Sequence, residues 1–144
     1  MQTYRLLRVA LAVAGLLGAC SGAAPTAAPL AVTVQAFQMT YQPPTLELQA
    51  GQPVKLTLQN DDVVDHDFSI QTIPLEMMSA TPEPMAGHDM THVADQPELH
   101  VSALSNTAGT VEFTPTTPGT YVYFCTVAGH QAAGMQGTLV VTAP

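Results

Sequence analysis

Cys125, His130 and Met135 stand five residues apart on a single stretch, Cys125-Thr-Val-Ala-Gly-His130-Gln-Ala-Ala-Gly-Met135. It follows directly on a strand-like run, Gly119-Thr-Tyr-Val-Tyr-Phe124. The three side chains converge only if the loop folds back on itself, and Gly129, Gly134 and Gly137 offer the backbone freedom for such a wrap. Far upstream, His66 follows the polar turn Asn60-Asp61-Asp62 and opens a second β-like run, His66-Asp-Phe-Ser-Ile70. A fourth ligand from there, 59 residues before Cys125, would close a site and tie two distant parts of the fold together.

The rest of the chain reads as β. Val32–Phe37 alternates until Pro43-Pro44 breaks the pattern, and Leu46–Leu48 resumes it. Val54–Leu58 alternates cleanly and ends at the Asn60-Asp61-Asp62 turn. Short runs at 68–73, 100–104, 110–113, 121–125 and 138–141 follow, with Thr117-Pro118-Gly119 as a turn. Such punctuation predicts an all-β fold, an antiparallel Greek-key β-sandwich of seven to eight strands. Loops at one end of a sandwich lie side by side, which is how His66 would meet the Cys125–Met135 loop.

Singly, each candidate ligand has a plainer reading. A lone Cys is a small buried hydrophobe, a Met fills core gaps, and a His at a strand end is usually a hydrogen-bonded surface residue. Together they make a His₂Cys set with a Met. Thiolate and thioether are soft ligands that favour Cu(I), while imidazole serves both copper states. A trigonal His₂Cys plane with a long, weak axial Met leaves the geometry between the preferences of Cu(I) and Cu(II), so little has to move when an electron passes.

The pattern Phe124-Cys125-x4-His130-x4-Met135-x-Gly137, with Asn60, His66, Asp67 and Phe68 upstream, resembles the cupredoxins over residues 31–142. The spacing is nearest to the auracyanin and rusticyanin branch; plastocyanins have a shorter Cys-to-His gap and azurins a shorter His-to-Met gap. The resemblance implies one type 1 copper per chain, with His66, Cys125 and His130 equatorial and Met135 axial. It implies an electron carrier rather than an enzyme. In the family the residue after the first His bonds to the residue after the Cys. Here that pair is Asp67 and Thr126, with the Thr hydroxyl donating. Two positions depart from the pattern: Ala128 replaces a common Pro, and Asp67 replaces the Asn of azurin- and plastocyanin-like proteins. An ionised Asp67 beside copper favours Cu(II) and lowers the reduction potential.

The N-terminus reads as an export signal. Arg5 and Arg8 precede an apolar run, Val9–Leu17, too brief to span a bilayer. Leu17-Gly18-Ala19-Cys20 resembles a bacterial lipobox, with residues 1–19 removed and Cys20 lipidated; the other reading is an ordinary signal peptide cut near Ala19. Residues 20–30 then form the anchored Cys and a Pro/Ala-rich tether, and 31–144 the cupredoxin domain. The expectation is a periplasmic or cell-surface lipoprotein attached to a membrane through Cys20. With Cys20 acylated, Cys125 has no disulfide partner despite an oxidising compartment. A single Cys on the loop also excludes a binuclear copper centre, which needs two.

The formal charge is −8, and without Arg5 and Arg8 it becomes −10, with Lys55 the one remaining Lys or Arg against eleven acids. Such a chain does not bind nucleic acid by electrostatics, but its acid is suited to steering toward basic redox partners. The acidity also argues for a monomer.

Residues 74–100 read as a Met/His-rich insertion lying over the sandwich. Met85, His88, Met90 and His92 are candidate auxiliary copper ligands, with His88 and His92 on one face if 85–94 is helical. The bland alternative is Met packing beneath a surface insertion. These residues carry the rival function, a copper chaperone or scavenger, beside the leading one of a blue-copper electron carrier outside the cytoplasm.

Overall fold

A computed structural model describes residues 28–81 and 96–144. They form ten strands: β1 Leu30–Phe37, β2 Thr40–Gln42, β3 Thr45–Gln49, β4 Val54–Asn60, β5 His66–Ile70, β6 Leu75–Thr81, β7 Leu99–Ala103, β8 Ala108–Pro115, β9 Gly119–Phe124 and β10 Gln136–Thr142. Two five-stranded sheets result, ordered β2-β1-β4-β8-β6 and β3-β10-β9-β5-β7. The all-β sandwich expected from the sequence is what forms.

Its sheets are mixed, not antiparallel throughout. β1 pairs with β4 and β3 with β10 in parallel register, while the other pairs are antiparallel. The chain passes from the first sheet to the second at Pro43-Pro44, between β2 and β3, where proline cannot continue a ladder. Two strands go beyond the seven or eight expected. β2 has three residues, too few to show a period. β6 occupies the start of the 74–100 segment, so Leu75–Thr81 is an edge strand of the first sheet and not an overlay. The register shifts between Met77 and Ser79, which breaks the alternation a reader would look for.

β4 shows why these residues form strands. Val54, Leu56 and Leu58 are buried in strict alternation and face the interior between the sheets. β5 differs, being buried on both faces: His66, Phe68 and Ile70 on one, Asp67 and Ser69 on the other. Beneath the ligand end lies an aromatic cluster. Phe68 stacks on Tyr123 with centroids 4.6 Å apart, and Tyr41 meets Tyr123 edge-on at 5.2 Å. The Tyr123 hydroxyl donates to the Pro43 carbonyl (2.8 Å) and the Tyr41 hydroxyl to the Asp67 carbonyl. The two sheets are thereby tied together directly below β5.

Candidate metal centre

Two segments build the centre. The first is the turn from β4 to β5, organised by Asn60, which has no solvent exposure. Its side-chain amide lies within hydrogen-bonding distance of the carbonyls of Val64 (2.8 Å), Leu104 (3.0 Å) and Ala103 (3.1 Å). Its side-chain oxygen accepts from the Asp62 N–H at 2.9 Å. Asp65 accepts from the Ser105 N–H at 2.9 Å, so the turn is bound to the β7–β8 connection before it delivers His66. A buried amide satisfied this way holds the backbone more tightly than a solvated turn would.

The second segment is the loop after β9. The Cys125 N–H donates to the Met135 carbonyl (3.2 Å), and the N–H groups of His130 and Met135 donate to Val127 and His130 (3.0 Å each). The loop therefore closes on itself as the spacing predicts. Gly129 and Gly134 adopt φ of +86° and +101°, the left-handed region that glycine reaches without penalty. Gly137 is needed for another reason. A Cβ there would stand 2.2 Å from Tyr123 Cζ, so the position requires glycine for close approach and not for freedom.

The two segments bring His66, Cys125 and His130 together, with their ligand atoms all within 4.8 Å of one another. Cys125 Sγ lies 3.4 Å from His130 Nδ1 and 4.0 Å from His66 Nδ1. A trigonal first-row metal ion, with bonds of about 2.0 Å to nitrogen and about 2.3 Å to sulfur, needs sulfur–nitrogen separations of about 3.7 Å. The observed pair brackets that value, so the donor set fits copper in spacing as well as in chemistry. His66, Cys125 and Met135 have no exposed surface, and His130 retains 8%. Met135 sits in the same loop and closes it through its backbone.

Asp67 frames the sulfur. Its N–H points at Cys125 Sγ (3.5 Å). Its carboxylate accepts from the Thr126 hydroxyl (2.7 Å) and from the Thr126 N–H (2.9 and 3.1 Å), the link expected from the sequence with the donor as expected. The Ser69 hydroxyl donates to the same carboxylate (2.9 Å) and lies 2.8 Å from His100 Nδ1. Burial first, and then the charge of Asp67, pushes the Cys125 thiol up to about 12. Without a cation the sulfur holds its proton at neutral pH, and a bound cation reverses that preference.

His66 has a second partner that sequence reading missed. Its Nε2 lies 3.3 Å from Asp62 Oδ2. The Val63 N–H, then the His66 ring and the Gln38 N–H, hold the Asp62 carboxyl below the usual carboxylate range. Asp62 read only as part of an acidic turn; its position four residues before the ligand was the available signal. Met85, His88, Met90, His92 and Cys20 lie outside the described residues.

Residues 28–142 match the family model of copper binding proteins, plastocyanin/azurin family. Among curated relatives, the copper-resistant cuproprotein CopI of Rubrivivax gelatinosus is 29% identical over 108 residues, 75% of this chain and 63% of that protein. Auracyanin-B of Chloroflexus aurantiacus is 57% identical over 35 residues, 24% of this chain and 15% of its own length. The chain thus spans less than two thirds of each curated relative. Among solved structures, auracyanin B superposes with a TM-score of 0.59 at 27% identity, covering 81% of this chain and 92% of that one. Auracyanin A of Chloroflexus aurantiacus shares the fold with a TM-score of 0.58 at 23% identity, covering 80% and 100%.

Proposed function

Because the chain belongs to the plastocyanin/azurin family of copper-binding proteins, we propose that it is a mononuclear blue-copper electron carrier working outside the cytoplasm. The observation that carries this reading is the buried convergence of one thiol and two Nδ1 atoms on a scaffold already closed by hydrogen bonds. Copper held there would supply a one-electron Cu(I)/Cu(II) couple for exchange with redox partner proteins. His66, Cys125, His130 and Met135 would hold the copper. β5 and the self-closed loop keep these side chains in place through the cycle, and the Asp67 N–H donates to the ligating sulfur. The chain performs no catalysis of its own.

Of the four ligands, His130 alone retains exposed surface, which makes its edge the port for the electron. Residues 131–134 beside it are exposed, small and uncharged. A recess of about 350 Å³ opens against the same loop, lined in part by Gln71, Phe124, Val127 and Ala132. Such a surface excludes water on docking, while the acidic remainder steers a basic partner toward it. Export, lipidation at Cys20 and a monomeric state complete the proposal.

A second reading, copper handling, is favoured by the likeness to a copper-resistant cuproprotein over 75% of this chain. In it, Met85, His88, Met90 and His92 take up further copper. Copper titration of the purified metal-free chain separates the two, with visible absorption and bound metal followed together. Intense thiolate-to-copper absorption saturating at one equivalent, with nothing bound thereafter, supports the carrier. Further equivalents after saturation support handling. Absence of that absorption sinks the ligand assignment.

A further inference from the structure

Among the described residues, one charged side chain beyond the ligands and the Asp67–Thr126 link reaches the centre. His66 turns Nδ1 toward Cys125 Sγ and Nε2 toward Asp62 Oδ2, so thiol and carboxylate sit on opposite sides of one imidazole. An ionised carboxylate only accepts hydrogen bonds. A neutral His66 ring so placed carries its proton on Nε2, which leaves the Nδ1 lone pair on the side of the sulfur.

The carboxylate is itself aimed. Oδ2 accepts from the Gln38 N–H (2.9 Å) and Oδ1 from the Val63 N–H (2.7 Å). The Asp62 N–H goes to Asn60, and its carbonyl accepts from the Asn106 N–H (3.1 Å). Bonds from the β1–β2 turn, the end of β4 and the β7–β8 connection thus fix Asp62 before any metal binds. Among the described residues Lys55 is the only Lys or Arg, and it pairs with Glu112 at 3.2 Å, so neither cation type neutralises Asp62. The 3.3 Å contact is longer than the roughly 2.8 Å of a strong charge-assisted bond. Its effect accordingly lies in the aim of the ring and the placement of charge more than in bond strength.

We infer that Asp62 is a positioning residue of the metal centre. It holds His66 as the Nε2–H tautomer with Nδ1 ready to ligate, and its charge biases bound copper toward Cu(II). The inference rests on the copper reading of the site.

Two variants of the full-length chain test it. Asp62→Asn removes the charge and can keep its one side-chain oxygen for Gln38 and His66, with the amide nitrogen then facing the exposed Val63 N–H; Asp62→Ala removes both charge and acceptor. In the metal-free chain, ¹⁵N shifts of the His66 ring are expected to report a single Nε2–H tautomer for the wild type and Asp62→Asn, and a mixture for Asp62→Ala. In the copper-loaded chain, Asp62→Asn is expected to shift the Cu(I) over Cu(II) preference by about tenfold, a rise of about 59 mV in potential for a one-electron couple. Its thermal midpoint should fall by less than that of Asp62→Ala, because the one acceptor contact it gives up is to the exposed Val63 N–H. If Asp62→Ala keeps the single tautomer and Asp62→Asn keeps the potential, Asp62 only braces the loop and the inference is overturned. A wild-type chain that takes up no copper overturns the copper reading instead, and the metal-free tautomer measurement tells the two failures apart.

Discussion

Replacing Asp67 by Asn removes one negative charge from the buried wall of the metal centre while barely changing shape. The amide oxygen still accepts from the Thr126 N–H, and the amide nitrogen faces the hydroxyl of Thr126 or Ser69, either of which can rotate to accept. The loss in folding stability should therefore be about 1 kcal/mol or less. The redox effect should be larger. Asp67 Oδ2 stands 3.9 Å from Cys125 Sγ, which places the charge on the order of 6 Å from a metal bound to that sulfur. Cu(II) and Cu(I) differ by one unit of charge, and at an effective dielectric of about 20 that separation is worth roughly 3 kcal/mol. This is about two decades in the Cu(II)-to-Cu(I) preference, or roughly 120 mV for a one-electron couple. In bulk water the same charges would move the potential by only about 30 mV. Asp67 has no exposed surface, so the larger figure applies. The assay is a redox titration of copper-loaded wild type and Asp67→Asn, following thiolate-to-copper absorption, with thermal melts as a control on folding. A rise of about 100 mV in the variant is expected. A rise of about 30 mV or less would mean that the carboxylate carries no net charge or is screened as if in water, and that Asp67 does not set the potential.

Two further outcomes concern the fold that holds the site. In the metal-free protein, burial and then the Asp67 charge push the Cys125 thiol up to about 12 from an ordinary 9.0, so its contribution to stability is full below pH 9 and is lost as pH rises toward 12. Denaturant midpoints should fall across that window, and metal-free Cys125→Ser should fall less; the remainder comes from Tyr123, also pushed up to about 12 by burial, and from Tyr41, pushed up by burial as well. Identical pH profiles for the two proteins would remove Cys125 from the account. Gly137→Ala would set a Cβ 2.2 Å from Cζ and 2.3 Å from the hydroxyl oxygen of Tyr123, a ring already held by Phe68 and the Pro43 carbonyl. Overpacking of that kind costs about 1–3 kcal/mol, and a thermal midpoint equal to that of the wild type would show that the ring can retreat.

β4 was legible because Val54, Leu56 and Leu58 alternate without interruption, and burial follows that alternation residue by residue. β2 and β6 were not, since one is too short to show a period and the other changes register between Met77 and Ser79. The parallel pairing of β1 with β4 and of β3 with β10 had no local trace, because orientation is settled between segments that meet only in the folded chain. Gly137 was assigned to the loop for the wrong reason; a ring fourteen residues earlier, Tyr123, imposes the requirement.

The metal centre divides along the same line. Sequence alone determined the donor types, their spacing of five residues and the closure of one short loop, because these belong to the covalent chain and to local backbone geometry. It also carried enough of a pattern to place Asp67 against Thr126. Tertiary structure decided that both imidazoles turn Nδ1 to the sulfur, that Asp67 is buried where its charge is unscreened, and that Asp62 backs His66. Direction, burial and dielectric are set by residues far apart in the chain that share one end of the sandwich, and no local pattern encodes who those neighbours are.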